Sequence, residues 1–200
     1  MHWLARRLRQ QGYQTIRFRY PTVRGKLQEQ MGRLRELITE QKQPVHILAH
    51  SLGGVLSLHT LTEQPVDNVA RIVCMGSPLV DTHAGRNLAR IPLLRRLLGK
   101  ILPEAIFDKP LKQWSGQQQV GVVAGSIGVD IGQLVARLKK PSDGVVEYAE
   151  TQLPGIADTV LLPVTHIGML FSRRVIDEVQ CFLENGRFEH GAIAGGQDHP

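Results

Sequence analysis

The chain has 200 residues, a length that favours one domain over two. Apolar residues make up 42% of it and aromatic residues only 5%, so it can bury a core and that core should be aliphatic. The net charge of +6 is compatible with an anionic partner, but the basic residues are spread among predicted helices and follow no nucleic-acid-binding motif. We therefore expect no nucleic-acid partner.

The sequence carries no pattern that would direct it to a membrane or to a metal. No apolar run reaches the roughly 18 residues of a membrane span, and no secretory signal opens the sequence. Cys74 and Cys181 are interpreted as reduced core residues, and no metal-ligand spacing occurs. We expect neither a metal nor another cofactor, and the cytoplasm is the favoured location.

Helical and strand patterns alternate along the chain. The predicted helices are 1–11, 26–41, 55–61, 131–138 and 169–183, and the predicted strands are 13–20, 45–49, 69–75, 119–126 and 158–164. This alternation predicts an α/β fold whose mostly parallel sheet is flanked by helices. The predicted domain covers 1–188, and the glycine-rich polar residues 189–200 are expected to form a disordered tail.

Residues 81–118 interrupt this rhythm and are interpreted as an insert. Within them, 91–102 place leucines along one stripe and basic residues on the other sides. We favour a helical cap over the site, and a membrane surface that contacts 90–102 is a less favoured extension of that interpretation. The alternative is an ordinary amphipathic helix packed on the sheet.

The stretch Pro44–Leu61, PVHILAHSLGGVLSLHTL, joins an apolar strand to an apolar helix through a turn of small residues. Ser51 stands in that turn, with Ala49 and Gly53 two residues to either side. This pattern is a nucleophile elbow, in which larger side chains at the flanking positions are expected to clash. It predicts an exposed, nucleophilic Ser51 and an N–H of Leu52 that points at the oxyanion. The alternative is a strand–helix turn without chemistry.

A serine nucleophile needs a base, and reacting groups in open α/β sheets gather beyond the carboxyl ends of the strands. A lone histidine is usually structural, but His166 follows the last predicted strand and completes the order serine, acid, histidine. His83 follows another strand end and is its rival, whereas His50 is expected to point elsewhere because of the turn. The remaining histidines do not meet the topological requirement: His2, His46, His59, His190 and His199.

The acid is less strongly specified than the base. Asp143 lies in an S-D-G turn after the strand 119–126, although an aspartate before glycine is also a common turn-former. Asp130 follows the same strand and is the alternative. Asp158 begins the last strand, at the amino end of the sheet, and is therefore set aside.

The segments AHSLGG, SDGVV and LPVTHIGMLFSRRVIDEV together resemble small bacterial lipases of the α/β-hydrolase superfamily, of the Bacillus type. The resemblance extends from the turn around Ser51 to about residue 188. In the middle of this range it rests on short motifs alone. It implies that Ser51 is the nucleophile, His166 the base, Asp143 the acid and Leu52 an oxyanion donor. It further implies hydrolysis of a carboxylic ester, small or lipid, through an acyl-enzyme without a metal.

The same resemblance implies that part of the fold is missing at the amino end. The family's second oxyanion donor lies in an H-G-containing loop, and its third strand lies between those matched by 13–20 and 45–49; neither occurs here. We expect a chain shortened at its amino terminus, with unpaired strand edges, low stability and weak activity, since one oxyanion donor contributes about 10²–10³ in rate.

Three function classes remain open from the sequence. The first is a serine esterase, lipase or related thioesterase. The second is a non-catalytic relative of the α/β-hydrolases that acts by binding. The third is acyl transfer to an acceptor other than water by the same residues.

Overall fold

The structure is a computed structural model that describes residues 1–21, 25–80, 105, 109–128 and 139–190. Most of the predicted insert, the predicted helix 131–138 and the tail from 191 lie outside the described residues. The predicted cap, its membrane-facing segment 90–102 and the predicted disorder of 191–200 therefore stay predictions. Glu189 and His190, the first two residues of the predicted tail, are described, and both make hydrogen bonds.

The described elements alternate as the sequence predicts. The helices are α1 (His2–Gln10), α2 (Leu27–Thr39), α3 (Leu52–Glu63) and α4 (Arg173–Asn185), and the strands are β1 (Val45–His50), β2 (Val69–Met75), β3 (Gln119–Gly125) and β4 (Asp158–Leu162). Short 3₁₀ turns occupy Tyr148–Thr151 and Gly168–Leu170. Within the described residues, no helix is both long and apolar enough to cross a membrane.

Four parallel strands form a sheet in the order β1-β2-β3-β4. The register pairs His50 with Met75, Met75 with Val123, and Gly125 with Leu162, so the carboxyl ends of the strands lie side by side. This arrangement confirms the predicted α/β class and creates one edge at which loop residues distant in sequence meet.

Both faces of the sheet are buried, because alternate residues of each central strand enter different cores. Ile72 and Cys74 of β2 pack with α2 and α3, whereas Val73 and Met75 pack with α1 and α4. A period of two with apolar residues at both phases is what a strand covered on both faces requires. The run VARIVCM is therefore central in the sheet rather than at its rim.

The predicted strand at 13–20 is wrong, since this segment forms no strand in the structure. Its alternation survives as packing: Phe18 and Tyr20 rest on the core beside α2 and α3, and their rings stack at 5.4 Å. Ile16 is 59% exposed. A strand needs a neighbouring ladder of hydrogen bonds, and among the described strands β1 pairs only with β2.

The closing helix begins later than the predicted Met169. Residues Gly168–Leu170 form a 3₁₀ turn, and Ser172 then caps α4 by accepting a hydrogen bond from the N–H of Val175. Gly186, with φ of +75°, ends the helix in the left-handed conformation that glycine adopts without strain. The cap competes with a continuous helix from residue 169 because serine prefers the N-cap to the helix interior.

Two glycines make a matched pair for a stability test. A Cβ on Gly121 in β3 would lie 2.6 Å from the ring of Phe182 on α4, whereas a Cβ on Gly32 in α2 would meet nothing within 4 Å. Gly121→Ala should lower the free energy of unfolding by about 1–3 kcal/mol through overpacking. Gly32→Ala should raise it by about 0.5–1 kcal/mol through helix propensity. Urea unfolding of both variants measures this, and equal effects would contradict the packing described.

Candidate functional site

Ser51 lies between the last residue of β1 and the first residue of α3, in a strained backbone conformation. Its φ is 54° and its ψ is −126°. Residues other than glycine rarely adopt these values, which cost on the order of 1–3 kcal/mol. The N–H of Ser51 donates to the carbonyl of Met75 over 2.9 Å, which continues the β1–β2 ladder into the turn. Such strain persists only where the surrounding structure holds it, and it clusters at functional sites.

The side chain of Ser51 does not cap the helix that follows it. Although Ser51 occupies the N-cap position of α3, its side chain makes no capping hydrogen bond, and the residue is half-buried. Leu52 is the first residue of α3, so its N–H lies in the turn where backbone donors have no partner within the helix. The positive end of the helix dipole therefore lies beside the serine.

The two glycines after Ser51 differ in the space around them. A Cβ on Gly53 would lie 3.6 Å from the Cβ of Ala49, which is ordinary contact, so a methyl group fits between these neighbouring positions; the predicted clash of larger side chains stays a prediction. The space is missing at Gly54 instead, where a Cβ would lie 2.3 Å from Ser77 Oγ. The next glycine in the motif therefore sets how closely α3 approaches β2.

Asp143 and His166 form a buried, hydrogen-bonded pair at the carboxyl edge of the sheet. Nδ1 of His166 lies 2.7 Å from Oδ2 of Asp143, and the N–H of His166 donates to the main-chain carbonyl of Asp143 over 2.9 Å. Since a carboxylate only accepts, Nδ1 carries the proton and Nε2 has the free lone pair of a base. Asp143 is 2% exposed and His166 is 7% exposed.

The carboxylate of Asp143 is itself held in place by its own turn. Oδ1 accepts hydrogen bonds from the N–H groups of Val145 and Val146, at 2.9 and 2.7 Å. With the imidazole on Oδ2, three donors surround the buried charge, which keeps the carboxylate oriented. The turn-forming role and the pairing with histidine are thus compatible functions of one side chain.

Glycines at the ends of β2 and β3 make room for this pair. A Cβ on Gly76 would lie 2.9 Å from Oδ2 of Asp143 and 3.0 Å from Nδ1 of His166, and a Cβ on Gly125 would lie 2.7 Å from the Cβ of Asp143. Gly76 also has a φ of +52°. Neither glycine was singled out from the sequence, because only its position beneath a distant pair makes it matter.

His50 contacts the loop of His166 rather than pointing away from the site. Its Nε2 lies 2.9 Å from the main-chain oxygen of His166, and the two rings are 4.5 Å apart at 46°. Burial, and then the neighbouring His166, lower the pKa of His50 to about 4. A carbonyl only accepts, so Nε2 of His50 carries the proton of a neutral imidazole.

The structure brings three of the four predicted site residues to one edge through the β1–α3 turn, the Asp143 turn and the His166 loop, and Leu52 follows Ser51 directly. The hydroxyl of Ser51 makes no hydrogen bond to His166 or to another described residue. Catalytic hydrogen bonds in unliganded enzymes are often long or poorly aligned. The rivals His83 and Asp130 lie outside the described residues.

Asp158 is the first residue of β4 and lies at the amino end of the sheet, where the sequence predicts it. Its carboxylate accepts from the N–H of Phe188 at 2.8 Å and contacts Nε2 of His190 at 2.9 Å, which anchors the chain after α4. Among the described residues, no group of three or more histidine, cysteine, aspartate or glutamate side chains could hold a metal ion.

Comparisons with known proteins agree with this geometry. A family model described as serine hydrolase matches residues 1–94, which include β1, Ser51, α3 and β2 but neither Asp143 nor His166. The chain resembles a serine hydrolase. A crystal structure of Bacillus licheniformis lipase BlEst2 in mature form matches with a TM-score of 0.57 and 17% identity, over 82% of this chain and 73% of that one.

The structural match confirms the predicted α/β-hydrolase fold. The match to the serine hydrolase family model supports hydrolysis as the class of activity. At this level of identity the likeness to the lipase concerns the fold alone. A search of curated proteins found no match. The roles of the site residues therefore rest on the local geometry.

Gly76→Ala tests whether the space beneath the pair is needed. The added methyl group would press on Asp143 and His166, so we expect a loss of hydrolytic activity of at least 10-fold beyond any loss of stability. Gly12→Ala is the matched control, because Gly12 also has a positive φ, of +90°, but open space around it. Ester hydrolysis per folded molecule compares them; equal activity would contradict the crowding.

The low pKa of His50 predicts a pH-dependent stability. Because the folded-state pKa is about 4 and the ordinary value is 6.5, the unfolded chain binds the proton more tightly. The contribution of neutral His50 is fully present above pH 6.5 and is lost as the pH falls toward 4. Urea unfolding between these pH values should show a shallower decline in His50→Gln than in the parent, and parallel curves would contradict the burial of this imidazole.

Proposed function

We propose that this chain is a serine hydrolase that cleaves carboxylic esters, with Ser51 as nucleophile, His166 as general base and Asp143 as the orienting acid. The observation that carries the proposal is the buried Asp143–His166 pair, at the sheet edge where Ser51 sits in a strained turn. The lipase with the similar fold supports an ester as the substrate class. Among ester substrates, small molecules and lipids both remain within the proposal.

The first chemical step follows from the proton positions. Nε2 of His166 accepts the proton of the Ser51 hydroxyl as Oγ attacks the ester carbonyl carbon. The imidazolium formed is stabilised by Asp143, whose carboxylate already accepts a hydrogen bond from the Nδ1–H of His166. The carbonyl electron pair moves onto oxygen, and the tetrahedral intermediate carries one negative charge.

The proposed oxyanion donor is the N–H of Leu52, at the positive end of α3. When the intermediate collapses, His166 returns its proton to the alkoxide of the leaving alcohol and Ser51 is left esterified. A water molecule then gives its proton to His166 and attacks the acyl carbon, and collapse of the second intermediate releases the carboxylic acid and restores the serine. Every proton taken up by the imidazole is returned.

Strain at Ser51 supports this reading over a non-catalytic binding protein. A turn that served folding alone would be less strained with glycine at a φ of 54°, whereas a nucleophile requires the serine hydroxyl there. The unengaged hydroxyl and the hydrogen-bonded imidazole at the same edge add to the argument.

A fluorophosphonate probe and a p-nitrophenyl ester chain-length series test the proposal. The parent chain should be labelled at Ser51 and hydrolyse at least one ester, and Ser51→Ala should abolish both. Asp143→Asn should lower kcat by on the order of 10³–10⁴, the loss seen when the histidine tautomer is no longer held. A parent that neither labels nor hydrolyses would support the binding protein instead.

Asp158→Asn is the matched control for Asp143→Asn. Asp158 also accepts hydrogen bonds from main-chain N–H groups and from a histidine ring, but at the opposite edge of the sheet. Its loss should lower stability and leave kcat per labelled molecule unchanged. Equal effects on kcat from both variants would contradict the assignment of Asp143.

A further inference from the structure

The contact between His50 and the loop of His166 has no role in the proposed chemical steps. His50 is the last residue of β1 and directly precedes Ser51, while His166 lies 116 residues later, beyond β4. The Nε2–H of His50 donates to the main-chain carbonyl of His166 over 2.9 Å, and the rings pack at 4.5 Å. This contact links the strand that carries the nucleophile to the loop that carries the base.

We propose that His50 is a positioning residue for the base, which fixes the distance between Ser51 and His166 by tying the His166 main chain to the end of β1. The proposal rests on the function proposed above and deepens it. It assigns a positioning task to the residue directly before the serine.

The bonds to Asp143 do not reach β1, the strand that precedes Ser51. Both of those bonds join His166 to the Asp143 turn, so they connect His166 to β1 only by way of β3 and β2, whereas the His50 bond makes that connection directly. Ile167, next to the base, is 60% exposed, so packing on that side of the loop is weak. A base displaced by about 1 Å can lose on the order of 10²-fold in rate.

The chemistry of the neighbouring groups suits a neutral donor here. His166 gains a positive charge during the proposed reaction, and a positively charged side chain stacked on it would oppose that charge. His50 faces His166 and, farther away, Asp143, and its burial favours the uncharged form. A neutral imidazole keeps the Nε2 proton for the carbonyl of His166 throughout the cycle.

Three substitutions separate the hydrogen bond from the ring packing. His50→Gln places an amide nitrogen at the same number of bonds from Cβ as Nε2, so it can keep the donor. His50→Asn carries the same amide one methylene shorter, which cannot reach the carbonyl of His166. His50→Phe keeps a ring for packing and removes the donor. Each variant is assayed for kcat and KM on the best p-nitrophenyl ester, with active sites counted by fluorophosphonate labelling.

We expect His50→Gln to stay within about 3-fold of the parent kcat, and His50→Asn and His50→Phe to lose about 10–100-fold in kcat with KM unchanged. The proton between His166 and Asp143 gives a second readout by NMR. Its downfield signal should persist in the parent and in His50→Gln and broaden in His50→Asn, because a loosened loop exposes the bond to exchange. A purely structural His50 would alter stability but move neither readout.

The proposal is overturned if His50→Asn matches His50→Gln in kcat per labelled site and keeps the same downfield signal. Should His50→Phe fail to fold, the comparison of the two amides decides the matter, since they differ by one methylene group. Failure of the proposed function is a separate result: there, the parent chain itself shows no labelling at Ser51 and no ester hydrolysis.

Discussion

The hydrogen-bonded pair of Asp143 and His166 is the constraint around which the rest of the described structure is arranged. The two residues are 23 positions apart in sequence and lie in different loops. They meet because the carboxyl ends of parallel strands lie at one edge of the sheet. A buried carboxylate is costly unless its oxygens are satisfied, and here the turn after Asp143 and the imidazole satisfy them. Because Nδ1 of His166 donates to this carboxylate, Nε2 is the imidazole nitrogen that carries the lone pair.

Space for the pair comes from the main strands of the sheet. The glycines at the ends of β2 and β3 remove the side chains that would occupy the volume of the carboxylate and the imidazole. The hydrogen-bond ladder of the sheet continues past the strands at the same edge. There the N–H of Ser51 donates to the carbonyl of Met75, and the N–H of Gly76 donates to the carbonyl of Val123. The order of the site is therefore an extension of the order of the sheet rather than a property of its loops alone.

Local patterns in the sequence predict much of this arrangement. The buried run 69–75 and the small-residue turn around Ser51 depend on neighbours in sequence, and the structure has the strand at the predicted bounds and the turn where expected. The segment 13–20 has the alternation of a strand but lacks a ladder partner among the described strands, and alternation alone cannot supply one. Periodicity reports the burial of side chains, not the pairing of main chains.

Other features required contacts that no single sequence displays. Gly76 lies beneath a pair contributed by residues far along the chain, and His50 reaches a carbonyl 116 residues away. A turn-forming aspartate and an aspartate that pairs with a histidine have the same local sequence pattern. Only the structure shows that Asp143 does both, because it brings His166 to the carboxylate. Such roles follow from which loops the sheet brings together.

The backbone of Ser51 implies a conflict between endurance and activity. Glycine adopts this positive φ at almost no steric cost, so a Ser51→Gly chain should be more stable than the native one toward heat or denaturant. Stability alone would therefore favour glycine at position 51, whereas the proposed nucleophilic role would require the serine that is present. Under the proposed function, the Ser51→Gly chain would also be the more stable variant in which to trap an uncleaved ester for crystallography.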